Sequence, residues 1–289
     1  MNSLSLSRSD LMEQAIKYKN MKKVYLSITL ILVFSISSNA QITEMVQVEG
    51  GSFLMGNDYA VSQDESPEHK VTLSSFSIGK YEVTFEQFDR FCTSTGWKRP
   101  DDAQLGRGKN PVMNVSWESA VFYCNWLSKM EGIDKCYTVS RDSLATVVIC
   151  NFDAVGYRLP TEAEWEFAAK GGNQSKGYAY SGSNNPNEVV WYAGNSGGRP
   201  QPVGTKKANE LGIHDMSGNV REWCWDLYDK NYFKKSPEDN PTGPEKGVRR
   251  VYRGGGWSFR INYMRLTARE TMGPNKSYGN VGFRVVKRP

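Results

Sequence analysis

The 289-residue sequence predicts a loop-rich globular fold with little regular secondary structure, and three observations carry that reading. Hydrophobic residues make up 39% and aromatic residues 12% of the chain, enough for a packed core. The core is weighted toward large rings, with Trp 8 and Tyr 15, while Gly 27 marks a backbone that turns often. Rings anchored from irregular chain, and not the Ala/Leu surfaces of a helical bundle, should therefore fill the interior. No Pro/Ser-rich linker parts two cores, so one domain is expected from about residue 42 to 289.

The chain begins with a polar extension, residues 1–20. Met21-Lys22-Lys23 then forms a positive n-region, residues 24–35 an apolar h-region, and Ser38-Asn39-Ala40 a small-residue cleavage site. The expectation is a signal peptide over 21–40, cleaved after Ala40, and an exported protein: periplasmic, cell-surface or secreted. The apolar run is short for a membrane span, so membrane attachment is expected only through an uncleaved signal segment.

Five basic residues against two acidic ones in residues 1–40 account for plus three of the plus five formal charge, leaving plus two for the rest. With only a short basic run at 246–250, no nucleic-acid partner is expected. Two histidines in the chain, His69 and His214, exclude a three-histidine iron centre.

Residues 45–56 alternate around Gly50-Gly51, the pattern of a hairpin, and 58–70 reads as a polar surface loop before extended chain from Val71. Thr84 with Gln87 marks a helix start, and Phe85, Phe88, Phe91 and Cys92 carry it to about Ser94. Ser116 opens a second helix, with Ala120, Tyr123, Cys124 and Leu127 on one face. Thr161 and Glu164 form a capping box for a third, stopped by Gly171-Gly172. Glu162 and Glu164 then sit in a first turn, where carboxylates favour the helix dipole, with Arg158 as an ion-pair partner. Residues 172–212 read as ordered loop, 226–248 as a polar insert, and short strands in 250–257 and 281–286 close the chain.

Export makes the cysteines disulfide candidates. Cys136 and Cys150 flank two β-rich runs, so a hairpin would join them as a disulfide. Cys92 and Cys124 read as bonded or as small buried hydrophobes, and Cys224, between Trp223 and Trp225, as an inert thiol.

The stretch 212–223 concentrates the candidate metal chemistry. Asp215 and Glu222 are hard oxygen donors, and Gly218 lets the backbone curl so that the carbonyls of Gly218 and Val220 join them around Ca²⁺. The alternative is an N-capping Asp and a salt-bridged Glu.

Seven stretches occur in order: Gly50-Gly51-Ser52-Phe53-Leu54-Met55-Gly56, Tyr81-Glu82-Val83-Thr84, Pro111-Val112-Met113-Asn114-Val115-Ser116-Trp117, Tyr157-Arg158-Leu159-Pro160-Thr161-Glu162-Ala163-Glu164-Trp165-Glu166, Gly218-Asn219-Val220-Arg221-Glu222-Trp223, Arg253-Gly254-Gly255 and Gly282-Phe283-Arg284. Together they resemble the motif series of the formylglycine-generating enzyme (sulfatase-modifying factor) family over nearly the whole exported part. The resemblance implies an α+β, C-type-lectin-like fold with structural Ca²⁺ at Asp215, Gly218, Val220 and Glu222, and a second calcium near Asn195. It also implies an oxidoreductase that converts a protein cysteine to formylglycine on copper held by two cysteines after the Arg-Gly-Gly motif. Here the corresponding positions are Phe259 and Met264, and residues 256–269 contain no cysteine. Copper is therefore not expected, since Cu(I) lacks its soft ligand pair.

Two readings follow: a non-catalytic binding or assembly module with a protein or peptide partner in the cell envelope, or a sulfatase-modifying-type enzyme. Trp257, Arg260, Arg265 and Arg269 occupy the segment of the family's active centre, where they would bind an acidic ligand or else pair with surface acids.

Overall fold

The computed structural model of the chain describes residues 12–13, 17–19, 21, 43–60, 62–141 and 146–289. The chain divides into two units, Met1–Ile42 and Thr43–Pro289. In the first, the described residues are helical and exposed. The expected signal segment, Met21 apart, and its cleavage point after Ala40 lie outside the described residues. Among the described residues, no helix is long and apolar enough to cross a membrane.

The second unit opens with β1 (Met45–Val48), β2 (Gly51–Met55), β3 (His69–Leu73) and β4 (Phe76–Gly79). The expected hairpin around Gly50-Gly51 is not formed: β1 pairs with β4, and β2 pairs with β3. The two strands part because the chain crosses between sheets at Gly50, where a Cβ would lie 2.5 Å from the Leu73 carbonyl oxygen. Only glycine passes that closely over another backbone.

Helix α1 (Phe85–Thr95) starts at the Thr84–Gln87 capping box and stops at Gly96, whose φ of 73° is left-handed. Helix α2 (Trp117–Met130) is capped by Ser116, whose side chain accepts from the Ser119 N–H. Phe88 stacks on Tyr123 between these helices, and the Phe283 ring packs edge-on against both. Next comes the ribbon β5 (Tyr137–Arg141) and β6 (Thr146–Cys150). All five cysteines are free thiols, so the Cys136–Cys150 bond is corrected. The register sets Cys150 opposite Tyr137, one step away from Cys136, whose thiol donates instead to the Gly156 carbonyl at 3.1 Å.

Helix α3 (Glu162–Ala169), with its Thr161–Glu164 capping box, is buried at every residue. A helix enclosed on all sides must pair its charges. Glu164 binds Arg158 through two hydrogen bonds of 2.7 Å, Glu162 takes Arg253 and Arg269, and Glu166 takes Arg253 and Lys170. Trp165 and Phe167 of the same helix join Phe76, Ile78, Met216 and Val251 in the main core.

After the short α4 (Pro186–Val189) come β7 (Arg221–Leu227), β8 (Arg250–Arg253), β9 (Glu270–Met272), β10 (Val281–Gly282) and β11 (Val286–Lys287). Strands β10-β7-β8-β9 make a four-stranded sheet, in which β10 runs parallel to β7. Strand β11 returns to flank β4 on the side away from β1. The 58–70 segment is not wholly surface loop, since Asp64 and Glu65 within it are buried.

Candidate functional site

The loop entering β7 is bent by three left-handed residues, Asp215 (φ 59°), Gly218 (φ 89°) and Asn219 (φ 57°). Such conformations persist in non-glycine residues only where surrounding contacts over-determine them. Here the Gly218 N–H donates to the Gly254 carbonyl at 2.7 Å, Asn219 N–H to Trp191 at 2.9 Å, and Trp257 N–H to the Asn219 carbonyl at 2.6 Å. A Cβ on Gly218 would stand 2.3 Å from the Trp191 carbonyl oxygen.

This loop brings Asp215 and Glu222 together with Glu82, from the β4–α1 connection, and Arg284, all of them buried. Arg284 donates Nε and Nη2 to Glu222 at 2.6 and 2.7 Å. Glu82 accepts from the Val220 N–H at 3.1 Å and from the Asn219 side chain at 2.9 Å. Asp215 accepts from the Gly204 N–H through Oδ2 at 2.7 Å, while its buried Oδ1 has no hydrogen-bond partner. Three carboxylates thus face one guanidinium. Burial, then the charges of Asp215 and Glu222, push the Glu82 carboxyl well above its usual range; burial also raises that of Asp215.

An orphaned carboxylate oxygen in a cage with excess negative charge fits a bound cation. Among the described residues, no three His, Cys, Asp or Glu side chains converge as a ligand set. A cation here would draw on the Gly218 and Val220 carbonyls beside Asp215 and a remaining lone pair of Glu222, a donor set of hard oxygens suited to Ca²⁺. The residues near Asn195 do not fit a second one. Residues 193–203 contain no Asp or Glu. Asn195 Oδ1 accepts from the Tyr192 N–H at 3.0 Å, and Gln201 Nε2 donates to the Ser196 carbonyl at 2.8 Å.

The four residues expected to bind an acidic ligand do not form one cleft. Arg269 is buried, with Nε and Nη2 on Glu162 at 2.7 Å each and Nη1 on the Asp64 carbonyl at 2.7 Å. Arg265 is paired through two bonds with Glu65 at 2.8 and 2.7 Å. Both guanidiniums are taken up by buried acids, which corrects their assignment to a ligand. Arg260 is exposed and Trp257 is half-buried, with its indole N–H on the Gly279 carbonyl at 3.2 Å.

Phe259 and Met264 meet in a small apolar cluster with Val189, Val190, Tyr180 and Tyr192. The Arg221 guanidinium lies 3.5 Å from the centre of the Phe259 ring, a cation–π contact. Cys224 is wholly buried, and burial pushes its thiol well above the usual range.

A groove of about 750 Å³ is lined by Trp97, Asn114, Ser116, Ser119, Asn275 and Ser277 together with the charged Lys98, Arg99 and Asp101. The Asn114 N–H donates to the Tyr278 carbonyl at 3.1 Å, which ties the groove wall to the segment that Trp257 contacts. Its residues come from three distant stretches, none of which carries chemistry alone. The one local signal is the left-handed Asn114 (φ 57°) between two apolar residues.

Residues 33–289 match the family described as sulfatase-modifying factor enzyme 1-like domain. The chain is 37% identical over 284 residues to the chaperone protein LppX of Paenibacillus barcinonensis, covering 88% of this chain and 92% of the relative. It is 32% identical over 291 residues to the formylglycine-generating enzyme of Thermomonospora curvata, covering 85% and 93%. Among solved structures, Treponema denticola variable protein 1 superposes with a TM-score of 0.73 at 31% identity, covering 85% of this chain and 95% of that one.

Proposed function

The chain belongs to the sulfatase-modifying factor enzyme 1-like domain family, with that family's α+β, loop-rich formylglycine-generating-enzyme fold, and on that premise we propose that it is a non-catalytic binding or assembly module. The carrying observation is the apolar cluster at Phe259 and Met264. Family chemistry at this position rests on copper held by a thiolate pair, and a phenyl ring with one buried thioether is not such a pair. Cys224, on strand β7, is sealed in the core.

A relative of near-equal length named as a chaperone supports a role in binding proteins. The groove at Trp97, with an aromatic ring and both signs of charge in its lining, supports a peptide segment of a cell-envelope protein as the ligand. The same reading includes export through the 21–40 segment and one structural Ca²⁺ at Asp215, Gly218, Val220 and Glu222, which would brace the loop between the aromatic interior and the groove.

The test is to incubate the purified protein, with copper and without, with a peptide carrying a sulfatase-type cysteine motif. No mass loss is expected. Mass loss consistent with aldehyde formation would return the chain to the catalytic branch.

A further inference from the structure

We propose that Glu82, more than a hundred residues upstream of the cation loop, is the residue that positions it, through its hold on the peptide between Asn219 and Val220. The inference rests on the calcium reading above. Glu82 Oε1 accepts the Val220 N–H at 3.1 Å, while the carbonyl of that same peptide unit, on Asn219, accepts the Trp257 N–H at 2.6 Å. The peptide plane is therefore gripped at both ends. The carbonyls on either side of it, those of Gly218 and Val220, are the two offered to the cation; each lies in a neighbouring peptide plane hinged to the gripped one, and the 218–219 plane is itself held by the Asn219 N–H on the Trp191 carbonyl at 2.9 Å. Glu82 Oε2 holds the Asn219 side chain at 2.9 Å, and that side chain is locked to Gln201 by a pair of hydrogen bonds of 3.0 and 3.2 Å. Glu82 also adds a third buried carboxylate to a cage in which Arg284 is the paired cation.

Position and charge are separable. Glu82→Gln keeps an acceptor for Val220 but removes the charge and sets an amide N–H₂ against Asn219. Glu82→Asp keeps the charge but shortens the arm, so it withdraws from Val220.

The experiment is calorimetric titration of the full chain with calcium chloride, paired with thermal melts in EDTA and in calcium. Wild type is expected to bind one calcium. Both variants should bind at least ten-fold more weakly. In EDTA the Glu82→Gln melt should fall less than in calcium, because removing one of three crowded charges offsets the new amide clash with Asn219; in calcium it should fall by more. A residue that only packs the core would lower both melts alike.

Equal affinity in wild type and Glu82→Asp overturns the inference while leaving the calcium reading in place. So does an equal drop of the Glu82→Gln melt in both buffers. Should Glu82→Gln fail to fold, Glu82→Asp carries the test alone. A wild type that binds no calcium overturns both.

Discussion

Trp165 donates its indole N–H to Glu222 Oε2 at 2.8 Å, the same oxygen that takes Arg284 Nε at 2.6 Å. Helix α3, strand β7 and the chain after β10 are thus joined at one buried carboxylate oxygen. Hydrogen bonds to charged acceptors contribute about 1.5–3 kcal/mol. Trp165→Phe, which fills most of the ring volume but cannot donate, should lower stability by at least about 2 kcal/mol. A lower urea midpoint with an unchanged m-value is the expected record; an unmoved midpoint would mean that Arg284 holds Glu222 unaided.

Glu166 and Arg253 are enclosed together beneath the core, with Lys170 as the second partner. Burial alone would raise the Glu166 carboxyl, but Lys170 and Arg253 outweigh it and hold the group at about 2, below its ordinary 4.5. A depressed carboxylate contributes stability above the unfolded value and loses it as pH falls through the folded one. An acid limb is therefore expected between about pH 4.5 and 2. Glu166→Gln should remove part of that limb and cost about 3–5 kcal/mol at neutral pH, because Arg253 is left short of charge. Denaturant melts from about pH 2 up to neutrality read both effects.

Asp226 behaves oppositely. Burial, and then the neighbouring charge of Glu162, push it from 3.8 up to about 8, while its Oδ2 accepts the Glu162 N–H at 2.8 Å. A raised folded value gives stability that is complete below about pH 4 and drains away as pH rises toward about 8. Asp226→Asn retains an acceptor and cannot ionise. It should match wild type below about pH 4 and melt progressively higher as pH rises toward the folded value of about 8. A uniform shift at every pH would show that Asp226 is not the titrating group.

Gly218 at φ 89° has no room for a methyl group, given the Trp191 carbonyl oxygen 2.3 Å from its Cβ position. Gly218→Ala should cost more than about 2 kcal/mol, combining backbone strain with displacement of Trp191. Unfolding curves in EDTA isolate this cost from any effect on metal.

Chelation provides a separate measurement. A ligand held only by the folded chain stabilises it by about 2.7 kcal/mol at a hundred times its dissociation constant. Wild type should melt lower in EDTA than in excess calcium, and Asp215→Asn should abolish most of that difference. Identical wild-type curves, with no metal found by elemental analysis, would leave Asp215 Oδ1 as a plain buried orphan.

What could be read from the sequence was what lies close along it. Helix starts are legible because a cap is three residues of local chemistry, as at Thr84–Gln87 and Thr161–Glu164. Arg158 and Glu164 pair as expected because they are six positions apart. Asp64 and Glu65 look like solvated loop because the partners of their carboxylates, Tyr228 and Arg265, lie far along the chain. The same separation hides the destinations of Arg265 and Arg269. The carboxylates of 215–222 stand out as a contiguous loop, whereas the role of Glu82 and the walls of the groove exist only once remote segments meet. Gly50-Gly51 has the alternation of a hairpin, but alternation reports which face is buried and not which strand lies alongside.

Strand β4 carries β1 on one side and β11 on the other. It acts as a clasp: the first and last strands of this unit are fastened to a single bar, and each is seated through Ile78, registered to Val46 on one side and Val286 on the other. Peeling away either end strips one rail from that bar and uncovers a side chain that also anchors the other. Fraying at one end is thereby transmitted to the opposite end of the unit, so tension applied through both ends would meet one shared breaking point in place of two independent ones.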